Sequence, residues 1–176
     1  IDLRNNGGGS LETAIKIAGL FVDQGPIVQV RYRGEAPVIK NDVDTKIQWS
    51  GSLVVLVNEL SASASEILAA AMQDYNRAVI LGGNQTHGKG TVQNILPINQ
   101  FYPNYEKELG FIKMTIQKFY RINGGSTQVE GVYSDIAMPT RFSYMKYGER
   151  DIEGALKWDK VAKANYNQVN SYSNFS

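Results

Sequence analysis

Leu53-Val54-Val55-Leu56-Val57 is a continuous apolar run of strand length, followed within a few residues by a serine-rich segment and an alanine-rich helical pattern. A short strand that is apolar on both faces has to be covered by helices on both sides, so the run predicts a central strand of a layered α/β domain. The rest of the chain repeats the alternation. Ser10 is placed to cap a helix, with Glu12 in its first turn against the positive end of the dipole. Leu11, Ala14, Ile15, Ala18 and Val22 recur at helical spacing until Gly25-Pro26 stops them. Ile27, Val28, Val30 and Tyr32 continue as a strand, residues 63–77 read as a second helix, and residues 78–81 as another buried strand.

Thr91 to Leu96 is extended up to Pro97. Residues 111–120 alternate as a strand that ends at the turn Asn123-Gly124-Gly125-Ser126. The stretches 34–50 and 98–109 read as exposed connections, and Ile1 to Arg4 as the end of a buried strand, which suggests that the numbered chain begins inside a longer protein. Strands alternating with helices predict α/β layering.

Composition narrows the functional classes. At 176 residues, with 43% hydrophobic and 20% charged, the chain has the size and balance of one globular domain. The formal net charge of +1, with no basic run, gives no electrostatic footprint for nucleic acid. There is no cysteine, hence no disulfide and no thiolate metal site. A single histidine, His87, rules out a multi-histidine metal site, so neither a metal nor a cofactor is expected. No apolar run approaches the ~18 residues of a membrane-spanning helix.

Three segments at strand exits could carry chemistry, and that is where α/β sheets place their sites. Leu60-Ser61-Ala62-Ser63-Ala64-Ser65-Glu66-Ile67 would present a serine hydroxyl at a helix N-terminus, where free N–H groups favour an oxyanion. The same residues read equally as a capping box, Ser63-x-x-Glu66, with no catalytic role. Gly83-x-x-x-x-Gly88-Lys89 approaches a phosphate-binding loop, but Gly90 stands where a Ser or Thr should follow, and a β-prone stretch replaces the required helix. Asn5-Asn6-Gly7-Gly8-Gly9 offers backbone N–H groups to an anion, or is simply a flexible turn.

Taken in order, the motifs resemble those of the C-terminal processing peptidases, or tail-specific proteases. The matching pieces are Asp2-Leu3-Arg4-Asn5-Asn6 with Gly8-Gly9, Ser61-Ala62-Ser63-Ala64-Ser65-Glu66-Ile67, Ala71-Met72-Gln73-Asp74 and Gly88-Lys89-Gly90-Thr91-Val92-Gln93. Gly124-Gly125-Ser126-Thr127-Gln128, Gly131-Val132 and Asp135-Ile136 follow them. The resemblance runs from residue 1 to about residue 139 and implies a crotonase-type α/β sandwich. It implies Ser63 as nucleophile, Lys89 as general base and Gln93 as the residue that orients the lysine. The backbone N–H groups of Ala64 and Gly8 correspond to the oxyanion donors. Three departures stand out: Gly7 and Ser134 in place of prolines, and His87 in place of an aromatic residue beside the base.

The resemblance further implies a bacterial cell-envelope, periplasmic enzyme that acts on proteins with an exposed C-terminal tail. A peptide-binding PDZ domain is expected elsewhere in the full-length chain. Residues 1–139 would form an N-terminally truncated catalytic core, 140–163 an extension packing on it, and 164–176 a flexible tail. An isolated fragment of this kind is expected to fold but to cleave poorly. Two rivals stand beside this reading: a crotonase-type acyl-transfer enzyme, and a peptide-binding scaffold without turnover. A lysine amine with an ordinary pKa near ~10.4 costs about 4–5 kcal/mol to hold neutral at pH 7. A base of this type therefore needs dry surroundings free of carboxylates. No acidic residue lies between Gly82 and Leu96, which meets the second condition.

Overall fold

The computed structural model describes residues 1–169. Two helices and two sheets make up the mixed α/β core. Helix α1 spans Leu11–Gly19 and α2 spans Ala64–Asp74. One sheet is antiparallel, in the order β2 (Val38–Asp42), β1 (Gly25–Tyr32), β6 (Phe111–Tyr120), β5 (Thr91–Pro97). The other is parallel, in the order β3 (Val54–Val57), β4 (Val79–Gly82), β7 (Ile136–Ala137). Helix α2 packs against both β1 and β4, and α1 packs on α2, β1 and β2. The alanine-rich sequence of α2 makes this possible: Ala69, Ala70 and Ala71 are buried and let other elements approach from several sides, with Met72 fully covered beside them.

The opening residues lie beside β3, as a strand end should. Leu3 N–H donates to the Leu56 carbonyl at 2.8 Å, and Leu56 N–H donates to the Ile1 carbonyl at 2.8 Å. β3 itself departs from the expectation of two covered faces. Val55 and Val57 are wholly buried, whereas Val54 is 43% exposed, so one side of this sheet stays open. The segment 34–50 also differs from its reading as a connection, because it contains β2, paired antiparallel to β1. β2 is an edge strand with a mostly exposed face, and its Lys40, Asn41 and Asp42 supply none of the apolar alternation that marks a strand in sequence. Helix α2 ends at Asp74 rather than Arg77, because Asn76 turns to φ 56°.

Beyond β7 the chain folds back over the core. Trp158 donates its indole N–H to the Ser126 carbonyl at 2.9 Å, and Val161 N–H reaches the Gly124 carbonyl at 2.9 Å. Residues 164–169, read from sequence as part of a flexible tail, are held. Ala164 N–H donates to the Ile122 carbonyl, Val169 N–H to that of Tyr75, and the Tyr166 ring meets the Tyr75 ring edge-on at 5.3 Å. The remainder of that expected tail, 170–176, lies outside the described residues. Among the described residues no helix is long and apolar enough to cross a membrane.

Candidate active site

The serine-rich segment leaves β3 and enters α2 through a tight elbow, and its three serines have different duties. Ser61 is fully buried; its hydroxyl donates to the Leu3 carbonyl at 2.7 Å and accepts the Asn58 N–H at 3.0 Å. The Ser65 hydroxyl donates to the Asn6 carbonyl at 3.0 Å. Both therefore fasten the glycine loop to the elbow. Asn58 adds to the fastening, accepting from Asn5 N–H and donating to Asn5 Oδ1, each at 2.9 Å.

Ser63 sits between them at φ 57°, ψ −117°, a conformation that non-glycine residues adopt at a cost of about 1–3 kcal/mol and that clusters at functional sites. Its hydroxyl caps no N–H of the helix. Ser63 N–H donates to Glu66 Oε2 at 2.7 Å, but Glu66 N–H goes to the Ser63 carbonyl at 2.8 Å, leaving the hydroxyl for other work.

Glu66 does more than cap. Its carboxylate is completely buried and takes four donors. Oε1 accepts from the Thr86 hydroxyl at 2.6 Å and Gly88 N–H at 2.7 Å, and Oε2 accepts from Ser63 N–H at 2.7 Å and Lys89 N–H at 2.9 Å. One side chain thereby ties the backbone of Ser63 to the backbone of Lys89. Burial pushes its pKa up to about 7 despite the four donors, because no cation stands beside it to offset the lost solvation. The sequence shows the Ser63-x-x-Glu66 pairing as a helix cap only. The other three donors, from Thr86, Gly88 and Lys89, arrive from 20 to 23 residues away and left no local signal.

The structure gathers four of the expected site residues round one cleft of about 230 Å³. Ser63, Ala64, Lys89 and Gln93 line it, with Ile67, Ile95 and Phe119 giving it apolar walls. No acidic side chain lines it, and a second lysine, Lys113, does. Among the described residues Lys89 makes no ion pair.

Gln93 follows a bulge in β5 that shifts its register between Val92 and Gln93. It lies exposed at the cleft and makes no hydrogen bond to Lys89, so the two are neighbours without a direct link. The Ala64 N–H, first in α2, donates to nothing among the described residues. Gly8 borders the same spot at φ 102°. A Cβ on it would fall 2.8 Å from Ser63 Cβ and 2.9 Å from the Ala64 nitrogen. Its N–H, however, donates to Asn6 Oδ1 at 2.9 Å.

The alternative assignments fare differently. The segment 83–91 enters strand β5 and not a helix, and its Gly88 N–H is already held by Glu66, which removes the phosphate-loop reading. His87 does not line the cleft; its ring faces Glu149, with Nε2 3.7 Å from Oε2. Asp74 pairs with Arg121 and accepts from Asn123 Nδ2 at 2.8 Å, also away from the cleft.

The chain is similar to known proteins. Residues 1–138 match Peptidase family S41, and residues 142–176 match the C-terminal domain of tail specific protease. A tail-specific protease of Haemophilus influenzae is 49% identical over 169 residues, which is 96% of this chain and 24% of that protein. A carboxy-terminal-processing protease of Bartonella bacilliformis is 37% identical over 164 residues, 89% of this chain and 36% of that one. The chain thus spans about a quarter to a third of these relatives.

Among solved structures, a photosystem II D1 C-terminal processing protease superposes with a TM-score of 0.67 at 31% identity, covering 78% of this chain and 33% of its own. Mature CPAF, at 16% identity and a TM-score of 0.63, shares the fold. On the match over its first 138 residues, together with these relatives, the chain belongs to peptidase family S41.

Proposed function

We propose that the full-length protein is a serine endopeptidase that acts on proteins recognised by their C-terminal tails, with Ser63 as nucleophile and Lys89 as general base. The observation that carries the reading is the elbow. Of three neighbouring serines only Ser63 keeps its hydroxyl uncommitted, and it shares an acid-free cleft with Lys89. In this reading the neutral Lys89 amine takes the Ser63 proton as Oγ attacks the peptide carbonyl carbon. The resulting oxyanion accepts from Ala64 N–H at the positive end of α2. Collapse of the intermediate breaks the C–N bond, the protonated lysine returns its proton to the leaving amine, and water then hydrolyses the acyl-enzyme.

Gly8 is the second oxyanion donor in this scheme, which requires its N–H to exchange Asn6 Oδ1 for substrate. Gln93 orients the Lys89 amine once substrate closes the cleft. The PDZ domain expected elsewhere in the chain captures the tail, and the setting is the bacterial cell envelope, probed by fractionation of the native host. The names of the relatives support tail recognition, and the open, apolar-walled cleft suits an extended polypeptide. A crotonase-type acyl transferase is disfavoured because no carboxylate lines the cleft. The test is hydrolysis by the full-length enzyme of two copies of an unfolded protein, one with a free apolar C-terminus and one with that terminus amidated. Preferential cleavage of the free form, abolished by Ser63→Ala, is the expected result; equal cleavage of both removes tail recognition, and cleavage surviving Ser63→Ala removes the nucleophile.

A further inference from the structure

The loop that carries Lys89 is bracketed by one residue of the C-terminal extension. Glu149, which begins a short 3-10 turn (Glu149–Asp151), donates its N–H to the His87 carbonyl at 2.8 Å, two residues before Lys89. Its Oε2 faces the His87 ring, and its Oε1 accepts from Gln128 Nε2 at 3.1 Å. Gln128 in turn accepts the N–H of Gly90, one residue after Lys89, on its Oε1 at 2.9 Å. Gln128 is fully buried, and its backbone packs so close to Gly90 that a Cβ there would fall 2.5 Å from the Gln128 nitrogen. Arg150, the next residue, completes the contact by donating to the Thr86 carbonyl at 3.4 Å.

A glutamine amide presents an oxygen that only accepts and an NH2 that only donates, and a half-turn about its last torsion exchanges them. Turned the wrong way, Gln128 would set its NH2 against the Gly90 N–H, donor facing donor, in a place with no water to relieve the clash. An ionised carboxylate accepts and never donates. Facing Glu149, the amide has to present its NH2 to the carboxylate and its oxygen to Gly90. We infer that Glu149 is a positioning residue for the peptidase site: by fixing the orientation of the Gln128 amide it holds the backbone of the Lys89 loop in register with Ser63. The site is therefore built from both matched segments of the chain, with the extension supplying one of the groups that set the base.

The inference rests on the reading of Lys89 as the base, and labelling of Ser63 by a fluorophosphonate in the full-length enzyme separates the two. If wild-type label survives Ser63→Ala or Lys89→Ala, the Ser63–Lys89 reading itself has failed. If the label is lost in both, the labelling rate of Glu149 variants decides the present point. Glu149→Ala should slow labelling about 10- to 100-fold, as displacement of a catalytic group by ~1 Å does, and lower kcat while leaving KM for a tail-bearing substrate within about twofold. Glu149→Gln keeps an acceptor oxygen for Gln128 and should recover most of the rate. Glu149→Lys, which can only donate, should be at least as slow as the alanine variant, and it takes over the test if the alanine variant does not fold. A wild-type labelling rate in the alanine or lysine variant overturns the inference, as does a glutamine variant no faster than alanine.

Discussion

Glu66 sets the sharpest tests at the residue scale. Its folded pKa, about 7, lies above the ordinary 4.5, so burial favours the protonated form. The group therefore supports the fold most fully below about pH 4.5 and withdraws that support as the pH rises through 7. Over this window the swing is on the order of 3 kcal/mol at 1.36 kcal/mol per unit. Activity should run the other way. Protonation turns one acceptor of the carboxyl into a donor and leaves at least one of Ser63, Thr86, Gly88 or Lys89 without its partner. Urea midpoints of wild type and Glu66→Gln between pH 4.5 and 7.5 should diverge, with the variant lacking the wild-type decline, and the variant should label slowly at every pH.

A second residue-scale prediction concerns Gly8. A methyl there would meet the Ala62 carbonyl oxygen at 2.7 Å, Ser63 Cβ at 2.8 Å and the Ala64 nitrogen at 2.9 Å, in a backbone conformation that alanine resists. Gly8→Ala should abolish fluorophosphonate labelling while circular dichroism shows the fold retained. Sequence brought Ser63, Lys89, Ala64 and Gly8 forward as candidates through the family resemblance of their motifs, and the structure sets Ser63, Ala64 and Lys89 round one cleft. Sequence did not supply the second duty of Glu66 or the part of Glu149. Both act through partners twenty or more residues away, and neither pairing has a local periodicity.

Among the elements, α2 begins at the candidate site with Ser63 and Ala64, and its far end is secured separately. Asp74, at its last turn, is almost buried and pairs with Arg121 just past the end of β6, and Gln73 Oε1 accepts from the same Arg121 Nη2 at 2.9 Å. Removing one partner of a largely buried pair costs about 3–5 kcal/mol. Arg121→Ala should lower the melting temperature by several degrees, while the labelling rate per folded molecule at low temperature stays near wild type. A matching loss of labelling would make this pair part of the catalytic apparatus. Several elements were legible in sequence: α1, β1, β4, β5 and β6 lie within a few residues of their expected places. β2 was not, because an exposed edge strand can be polar throughout. The covered character assigned to β3 failed for a related reason, since a five-residue apolar run does not say whether its second face meets a helix.

In the molecule as a whole, the elbow, the glycine loop and the Lys89 loop are fastened to one another through buried side chains beside an open cleft. The chain described here lacks the greater part of its relatives' length. Expressed alone it should fold cooperatively yet digest an unstructured protein far more slowly than the full-length enzyme; equal rates would show that substrate capture needs nothing beyond residues 1–176.

The central claim is that the proton acceptor for Ser63 is Lys89 and not His87. Fluorophosphonate labelling of the full-length enzyme, compared between Lys89→Ala and His87→Ala at one pH, puts it to the test most directly. The account predicts that Lys89→Ala loses labelling by at least about 10²-fold, with His87→Ala retaining most of it. Near-normal labelling without the lysine, or its loss without the histidine, would contradict it.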